Sequence, residues 1–304
     1  PPAIALGTVS AIPAPRESVH ASAVQRPRLT YRVRVIDLHC HVLAGIDDGP
    51  ATPAQSLAIA RAAAAAGIST IVATPHVNRR YANEAATIAR GVEQLEAQLR
   101  EEHVSVKVLA GAEVALSRAL ELDGEELSSL CLGGGRWVLL EPPFSASVPE
   151  LVPTVVELQR RGHDVVLAHP ERCPALQRDV GLIESLVQRG VLMSITASSL
   201  TGAFGGAARS VALRLAETQL IHNVASDAHD AANRTPEIAA HLRRAGLHSI
   251  EWLTEEVPHA IVTGGDVPPR PQAQAARAAR RFSLSRLRGG APSASEGQRS
   301  RASR

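Results

Sequence analysis

Aromatic residues are scarce in this sequence: three Phe, two Tyr and two Trp make up 2% of 304 residues. Nucleic acid bases stack on aromatic faces, so this scarcity, with no concentrated basic groove in the central region, argues against a nucleic-acid-binding enzyme. Charge of one sign is also lacking, since 32 Lys and Arg face 30 Asp and Glu for a formal net charge of +2. Much of the basic excess falls after Arg270, which leaves the middle of the chain near neutral. Cysteine is limited to Cys40, Cys131 and Cys173. Their odd number and irregular spacing exclude a disulfide framework and a thiolate metal site, and fit a reducing compartment. The phosphate-cradling loop of cysteine phosphatases needs a longer Cys-to-Arg spacing than CLGGGR (131–136) or CPALQR (173–178) provides. No run approaches the roughly 20 apolar residues of a membrane span, and the first 30 residues lack the order of a signal peptide. The expectation is a cytoplasmic enzyme without a transmembrane segment.

Apolar residues supply 45% of the chain, enough for one sizeable core. Residues 1–32 and 271–304 are rich in Ala, Ser, Pro and Arg without periodicity, and are read as disordered tails around one catalytic domain at 33–270. The basic stretch RAARRFSLSRLR within the second tail is read as solvated. Between the tails, seven apolar or β-branched runs alternate with Ala/Leu-rich helical patterns: VRVIDLH (33–39), STIVATPH (69–76), VKVLAGAEV (106–114), RWVLLE (136–141), DVVLAHPE (164–171), VLMSITAS (191–198) and IHNVASDAH (221–229). Such alternation is the signature of βα units around a parallel sheet, hence an α/β fold. Thr52, Pro53 and Gln55 predict an N-cap, a first-turn proline and a capping-box partner for a helix that stops at Gly67.

Nearly every run begins apolar and ends in His, Asp or Glu. The ends carry His39 and His41, His76, Glu113, Glu141, His169, then Asp227 and His229; only the sixth run lacks a metal-type ligand. In a barrel of parallel strands these ends share one crevice. Residues two apart on an extended strand point to one side, so His39 can act with His41, and Asp227 with His229. A lone His at a strand end is usually structural. Eight such side chains at one topological position are different, because each costs free energy if buried without a partner. Imidazole and carboxylate without thiolate suit manganese, iron or zinc.

The motifs IDLHCHVLAGIDDGP, ATPH, GAEV, LLEPPF, AHPERC, SLTGAFG and ASDAHDAANRTP occur in that order over roughly residues 35–268. In this they resemble the PHP (polymerase and histidinol phosphatase) superfamily. Within it they are most similar to the bacterial manganese-dependent protein tyrosine phosphatases that control capsule and exopolysaccharide synthesis. The resemblance implies a distorted (β/α)7 TIM-like barrel holding three divalent metal ions, Mn2+ first and Fe or Zn as alternatives. It implies His39, His41, Glu113 and Asp227 at the first metal, with Glu113 bridging to a second completed by Glu141 and His169. Asp48, His76 and His229 would hold the third, and the role of the neighbouring Asp47 stays open. Arg172 and Arg234 would bind phosphate oxygens and act in catalysis beside Asp48. The implied substrate is a phosphotyrosine protein, a tyrosine kinase of polysaccharide synthesis; a homo-oligomer is one open assembly, the sequence not fixing the oligomeric state. Ala44, Cys40 and Cys173 depart from the usual residues at their positions; none removes a ligand, but Cys173 stands where an aromatic is common, which bears on the preference for phosphotyrosine. The alternatives are a phosphatase for histidinol phosphate or another small ester, and a regulatory scaffold without turnover, the latter disfavoured because every ligand position is filled.

Overall fold

A computed structural model describes residues 34–247 and 250–271. The two tails lie outside the described residues, Pro271 excepted. Nine strands are described: β1 (Val35–Cys40), β2 (Ile68–Ala73), β3 (His76–Val77), β4 (Lys107–Ala110), β5 (Glu113–Ala115), β6 (Trp137–Glu141), β7 (Asp164–Ala168), β8 (Leu192–Thr196) and β9 (Asn223–Ala225). All paired strands run parallel, in one sheet of order β1-β2-β4 and another of order β3-β5-β6-β7-β8-β9. Helices follow most strands, among them Pro53–Ala65, Ala85–Glu101, Leu151–Arg160, Val180–Gln188 and Gly205–Glu217.

The first helix forms as its sequence predicts. Thr52 Oγ1 accepts from Gln55 N at 3.4 Å while Gln55 Oε1 accepts from Thr52 N at 3.2 Å, closing the capping box before Pro53. Gly67 then takes a φ of +87°, a left-handed conformation that glycine adopts without steric cost.

The second and third runs, expected as single strands, each break in two. The second is interrupted at Thr74–Pro75, where proline has no N–H for a ladder, and Thr74 Oγ1 instead accepts from Cys40 N at 3.0 Å. The third is interrupted at Gly111–Ala112. A Cβ on Gly111 would lie 2.8 Å from Val72 Cγ1, so glycine allows the close approach of the two runs. Each broken run therefore begins in one sheet and ends in the other.

Further backbone bonds connect β1 to the segment after β9. His41 N donates to Ala228 O at 2.9 Å and Asp227 N to His39 O at 2.8 Å. The strands are apolar on both faces, as parallel strands covered by helices must be. Trp137, Val138, Leu139 and Leu140 are all buried, as are Val165, Val166 and Leu167 next to them. The polar ends gather at the carboxyl edge of this core. Two residues there, His169 (φ +31°) and Asp227 (φ +52°), hold left-handed backbone. That conformation is costly for a non-glycine residue and persists only where surrounding structure enforces it. Among the described residues no helix is long and apolar enough to cross a membrane.

Candidate metal centre

The carboxyl ends of the strands bring together every imidazole and carboxylate singled out in the sequence. His39 and His41 are buried with their Nε2 atoms 3.2 Å apart. Both nitrogens stand 3.3 Å from Glu113 Oε2, and they lie 3.4 and 3.6 Å from Asp227 Oδ1. Glu113 is the hub, since its Oε1 pairs with His169 Nε2 at 2.8 Å while Oε2 also faces His76 Nδ1 at 3.0 Å. On the outer side, Asp48 Oδ1 is 3.3 Å from His229 Nε2 and 3.5 Å from His76 Nε2. Glu141 Oε2 comes within 3.6 Å of His76 Nδ1.

Four overlapping sets have ligand atoms close enough to share a cation: His41, Asp48, His76 and His229; His39, Glu113 and His169; His39, His41 and Asp227; and His76, Glu113 and Glu141. Glu141 falls in a set with His76 and Glu113, His169 in one with His39 and Glu113, and His76 belongs to two sets.

The donor atoms suit cations better than one another. His76 Nδ1 is buried and lies near Glu113 Oε2 without forming a hydrogen bond, and His169 Nδ1 is buried with no partner. Buried polar nitrogens left in this way are costly, and a cation among them removes the cost. Electrostatics agree. Burial, together with the charge of nearby Glu113, pushes the Glu141 carboxyl up to about 8. Burial also opposes ionisation of Glu113, yet His39 and the hydrogen bond with His169 outweigh it and hold Glu113 well below the usual carboxylate range. Burial lowers His76, His169 and His229, which favours the neutral imidazole that binds a metal.

Two arginines border the cluster. Arg172 follows β7 in the single turn Pro170–Arg172, and Arg234 lies in a loop whose backbone amides at Ala232 and Arg234 donate to the Asp230 carboxylate at 2.7 and 3.3 Å. Both guanidiniums converge on Asp227 Oδ2, Arg172 through Nη1 and Arg234 through Nη2, the latter at 2.6 Å. Asp227 is thus divided, with Oδ1 facing imidazoles and Oδ2 facing guanidiniums. Sequence reasoning gave the arginines to phosphate alone, whereas here they also hold a candidate ligand. Arg234 Nε is buried with no partner, a free donor at the edge of the cluster. A cavity of about 320 Å³, lined in part by Asp227, Arg234, Ser198 and Asn233, opens beside this pair.

Residues 35–256, which contain every one of these side chains, match the family described as capsular polysaccharide synthesis, CpsB/CapC. The chain belongs to this family. It is 40% identical over 202 residues to the tyrosine-protein phosphatase YwqE of Bacillus subtilis strain 168, covering 66% of this chain and 79% of that protein. It is 30% identical over 204 residues to CapC of Staphylococcus aureus, with the same coverage of 66% and 79%. Among solved structures it is similar to those of YwqE from Bacillus subtilis and CpsB from Streptococcus pneumoniae, described as unique metal-dependent tyrosine phosphatases. That likeness has a TM-score of 0.69 at 32% identity and covers 78% of this chain and 97% of that one.

In this CpsB/CapC chain two further carboxylates organise the cluster. Asp47, whose role the sequence left open, accepts from His41 Nδ1 at 2.7 Å and His76 N at 3.2 Å through Oδ2, and from Gly49 N at 2.9 Å through Oδ1. By accepting the Nδ1 proton it leaves Nε2 as the nitrogen that faces Glu113 and would serve a metal. A Cβ on Gly49 would come 2.6 Å from His41 O, so only glycine lets this loop fold so tightly. Asp37, which sequence reasoning missed, is fully buried; it accepts from Ser226 N at 3.0 Å and from Ser226 Oγ at 2.5 Å. Burial raises its carboxyl to about 6 against the pull of those hydrogen bonds. It fastens β1 to the residue preceding Asp227. The one available signal was its position two residues before His39, on the same strand face. Burial pushes the Cys40 thiol, between His39 and His41, well above its ordinary value.

Proposed function

We propose that this chain is a metal-dependent protein-tyrosine phosphatase that removes phosphate from a tyrosine kinase of capsule or exopolysaccharide synthesis, in the cytoplasm. One observation carries the reading: nine His, Asp and Glu side chains, from several strand ends and the loop after the first strand, converge in one cluster with Glu113 at its hub, and two guanidiniums stand at the edge of the same cluster. The activity is also that of the relatives described above. The fold is a distorted (β/α)7 barrel, supported by the parallel strands and by the bonds that His39 and His41 make with Asp227 and Ala228.

The cluster would hold three divalent cations, manganese in preference to iron or zinc. His39, His41, Glu113 and Asp227 would take the first; Glu113 with His169 and Glu141, which lie toward His39 and His76 respectively, the second; Asp48, His76 and His229, with His41 beside them, the third. Bound cations supply a reactive water and neutralise phosphoryl charge, the two needs of phosphomonoester hydrolysis. The chain's own groups do the rest. Asp47 orients His41, Asp37 fixes the backbone that carries Asp227, and Arg172 and Arg234 offer N–H donors to phosphate oxygens beyond those used on Asp227. Phenolate leaves with a pKa near about 10, so a proton donor matters less than it does for an alkyl ester.

The test is to strip the protein with a chelator, reload it with manganese, and assay a phosphotyrosine peptide and histidinol phosphate in parallel. The expected result is activity only after reloading, with the peptide as the better substrate. Activity that survives exhaustive chelation sinks the metal reading. Preference for histidinol phosphate sinks the tyrosine reading, and inertness on both makes the protein a scaffold.

A further inference from the structure

The described residues contain only five aromatic side chains of Phe, Tyr and Trp: Tyr81, Trp137, Phe144, Phe204 and Trp252. Both Trp side chains are buried in the core. The remaining three all border the cluster. Tyr81 stacks on His76, with ring centroids 6.0 Å apart and planes 9° from parallel. Phe144 stacks on His169 at 5.6 Å and 14°. Phe204 faces the Arg172 guanidinium at 4.1 Å and that of Arg234 at 5.7 Å. Among the described residues, the core is built almost without aromatics and every accessible Phe or Tyr ring stands at the candidate active site.

Phe144 is the most informative of the three. It is 55% exposed, so it is not a core residue, and a large apolar ring facing water is unfavourable. Its inner surroundings are His169 and the Arg172 guanidinium, 5.1 Å from the ring. The loop beneath it is fixed by two prolines, Pro142 and Pro143, which restrict φ. It is pinned to the segment after Arg172, where Cys173 Sγ donates to Pro143 O at 3.4 Å and Ala175 N to Ser145 O at 3.0 Å. A ring held on such a loop loses little freedom when something packs on it. Cys173, which stands where an aromatic is common, is buried and helps hold the loop that presents Phe144.

Resting on the phosphatase reading above, we propose that Phe144 is a specificity-determining residue that packs against the phenyl ring of an aryl phosphate. Phe204, 4.1 Å from the same guanidinium, acts as a positioning residue for Arg172. Phosphate oxygens at the arginine pair bring the group esterified to them into reach of Phe144. Aromatic pairs favour offset-stacked or edge-to-face contact over an equal area of aliphatic surface, a difference of about twofold to tenfold in affinity per ring. An alkyl ester gains none of this.

The test uses phosphonates that the enzyme cannot hydrolyse. The full-length, manganese-loaded protein is titrated calorimetrically with phenylphosphonate and with methylphosphonate, as wild type, Phe144→Leu, Phe144→Tyr and Phe204→Leu. Wild type is expected to favour phenylphosphonate. Phe144→Leu should lose about twofold to tenfold of that preference at unchanged metal content, and Phe144→Tyr should restore it. Phe204→Leu should weaken both phosphonates alike, as loss of Arg172 positioning requires. An undiminished phenyl preference in Phe144→Leu overturns the proposal. So does loss of metal from that variant, which would make the ring a support for His169, or failure of wild type to bind either phosphonate. Because binding is read without turnover, a protein that prefers phenylphosphonate yet leaves phosphotyrosine intact refutes the phosphatase reading and not the aromatic contact.

Discussion

Replacing Asp47 by Asn tests the organisation of the cluster without touching an assigned ligand. The carboxylate takes three N–H donors on two oxygens, His41 Nδ1 and His76 N on Oδ2 and Gly49 N on Oδ1. Asparagine has the same shape but only one accepting oxygen. If that oxygen faces His41, the amide nitrogen meets the Gly49 N–H, donor against donor. If the amide is turned the other way, its N–H faces His41 Nδ1 and drives the imidazole proton onto Nε2, into the space shared with Glu113. Either arrangement leaves a buried or half-buried N–H without its partner, about 1–3 kcal/mol. The second also blocks a ligand atom. Loss of such an orienting carboxylate costs roughly tenfold to hundredfold in metal affinity. The assay is manganese competition against a fluorescent chelator, with elemental analysis and a thermal melt on the same preparation. Manganese affinity equal to wild type in Asp47→Asn would refute the argument that Asp47 sets the His41 tautomer.

Glu113→Ala should be among the most damaging single changes, because both carboxylate oxygens face imidazoles; a full metal complement by elemental analysis would contradict its role as hub. Arg234→Lys keeps the charge near Asp227 but loses the planar fork, so kcat/KM should fall by about tenfold to hundredfold with metal retained. Loss of metal instead would mean that holding Asp227 is the principal task of Arg234. Manganese affinity should rise with pH: burial opposes the charge on His41, but Asp47 and Glu113 outweigh it and push the imidazole up to about 10, so the metal-free protein holds a proton that binding must displace. Calorimetry in buffers of different ionisation enthalpy measures that proton release, and its absence would refute the coupling.

The strand ends that gather the imidazoles and carboxylates were legible in the sequence because a period of two and an apolar-to-polar switch are local signals. His39 and His41, or Asp227 and His229, announce a shared face by spacing alone. The breaks in the second and third runs were not legible. STIVATPH and VKVLAGAEV keep an apolar pattern throughout, and only the crowding of Gly111 against Val72 and the missing N–H of Pro75 divide them between sheets. Asp47 and Asp48 are neighbours of identical chemistry, yet the first is buried and the second is 47% exposed. What separates them is the tight fold at Gly49, a three-dimensional property. Asp37 was hidden within an apolar run, since nothing local tells a buried carboxylate from a polar interruption; its partner Ser226 is 189 residues away. The meeting of Arg172 with Arg234 on one oxygen depends likewise on the approach of β7 and β9 ends through β8.

The division of Asp227 between imidazoles and guanidiniums makes it a lever with two loads. A phosphate that draws N–H donors away from Oδ2 leaves more negative charge on the carboxylate for whatever its Oδ1 holds. A cation at Oδ1 in turn weakens the attraction of that carboxylate for the arginines and frees them for phosphate. Linkage is reciprocal, so each ligand must strengthen the other by the same factor. The enzyme would then hold its metals most tightly while substrate is bound and release them most readily when idle, so its activity would follow metal supply and substrate supply jointly rather than either alone.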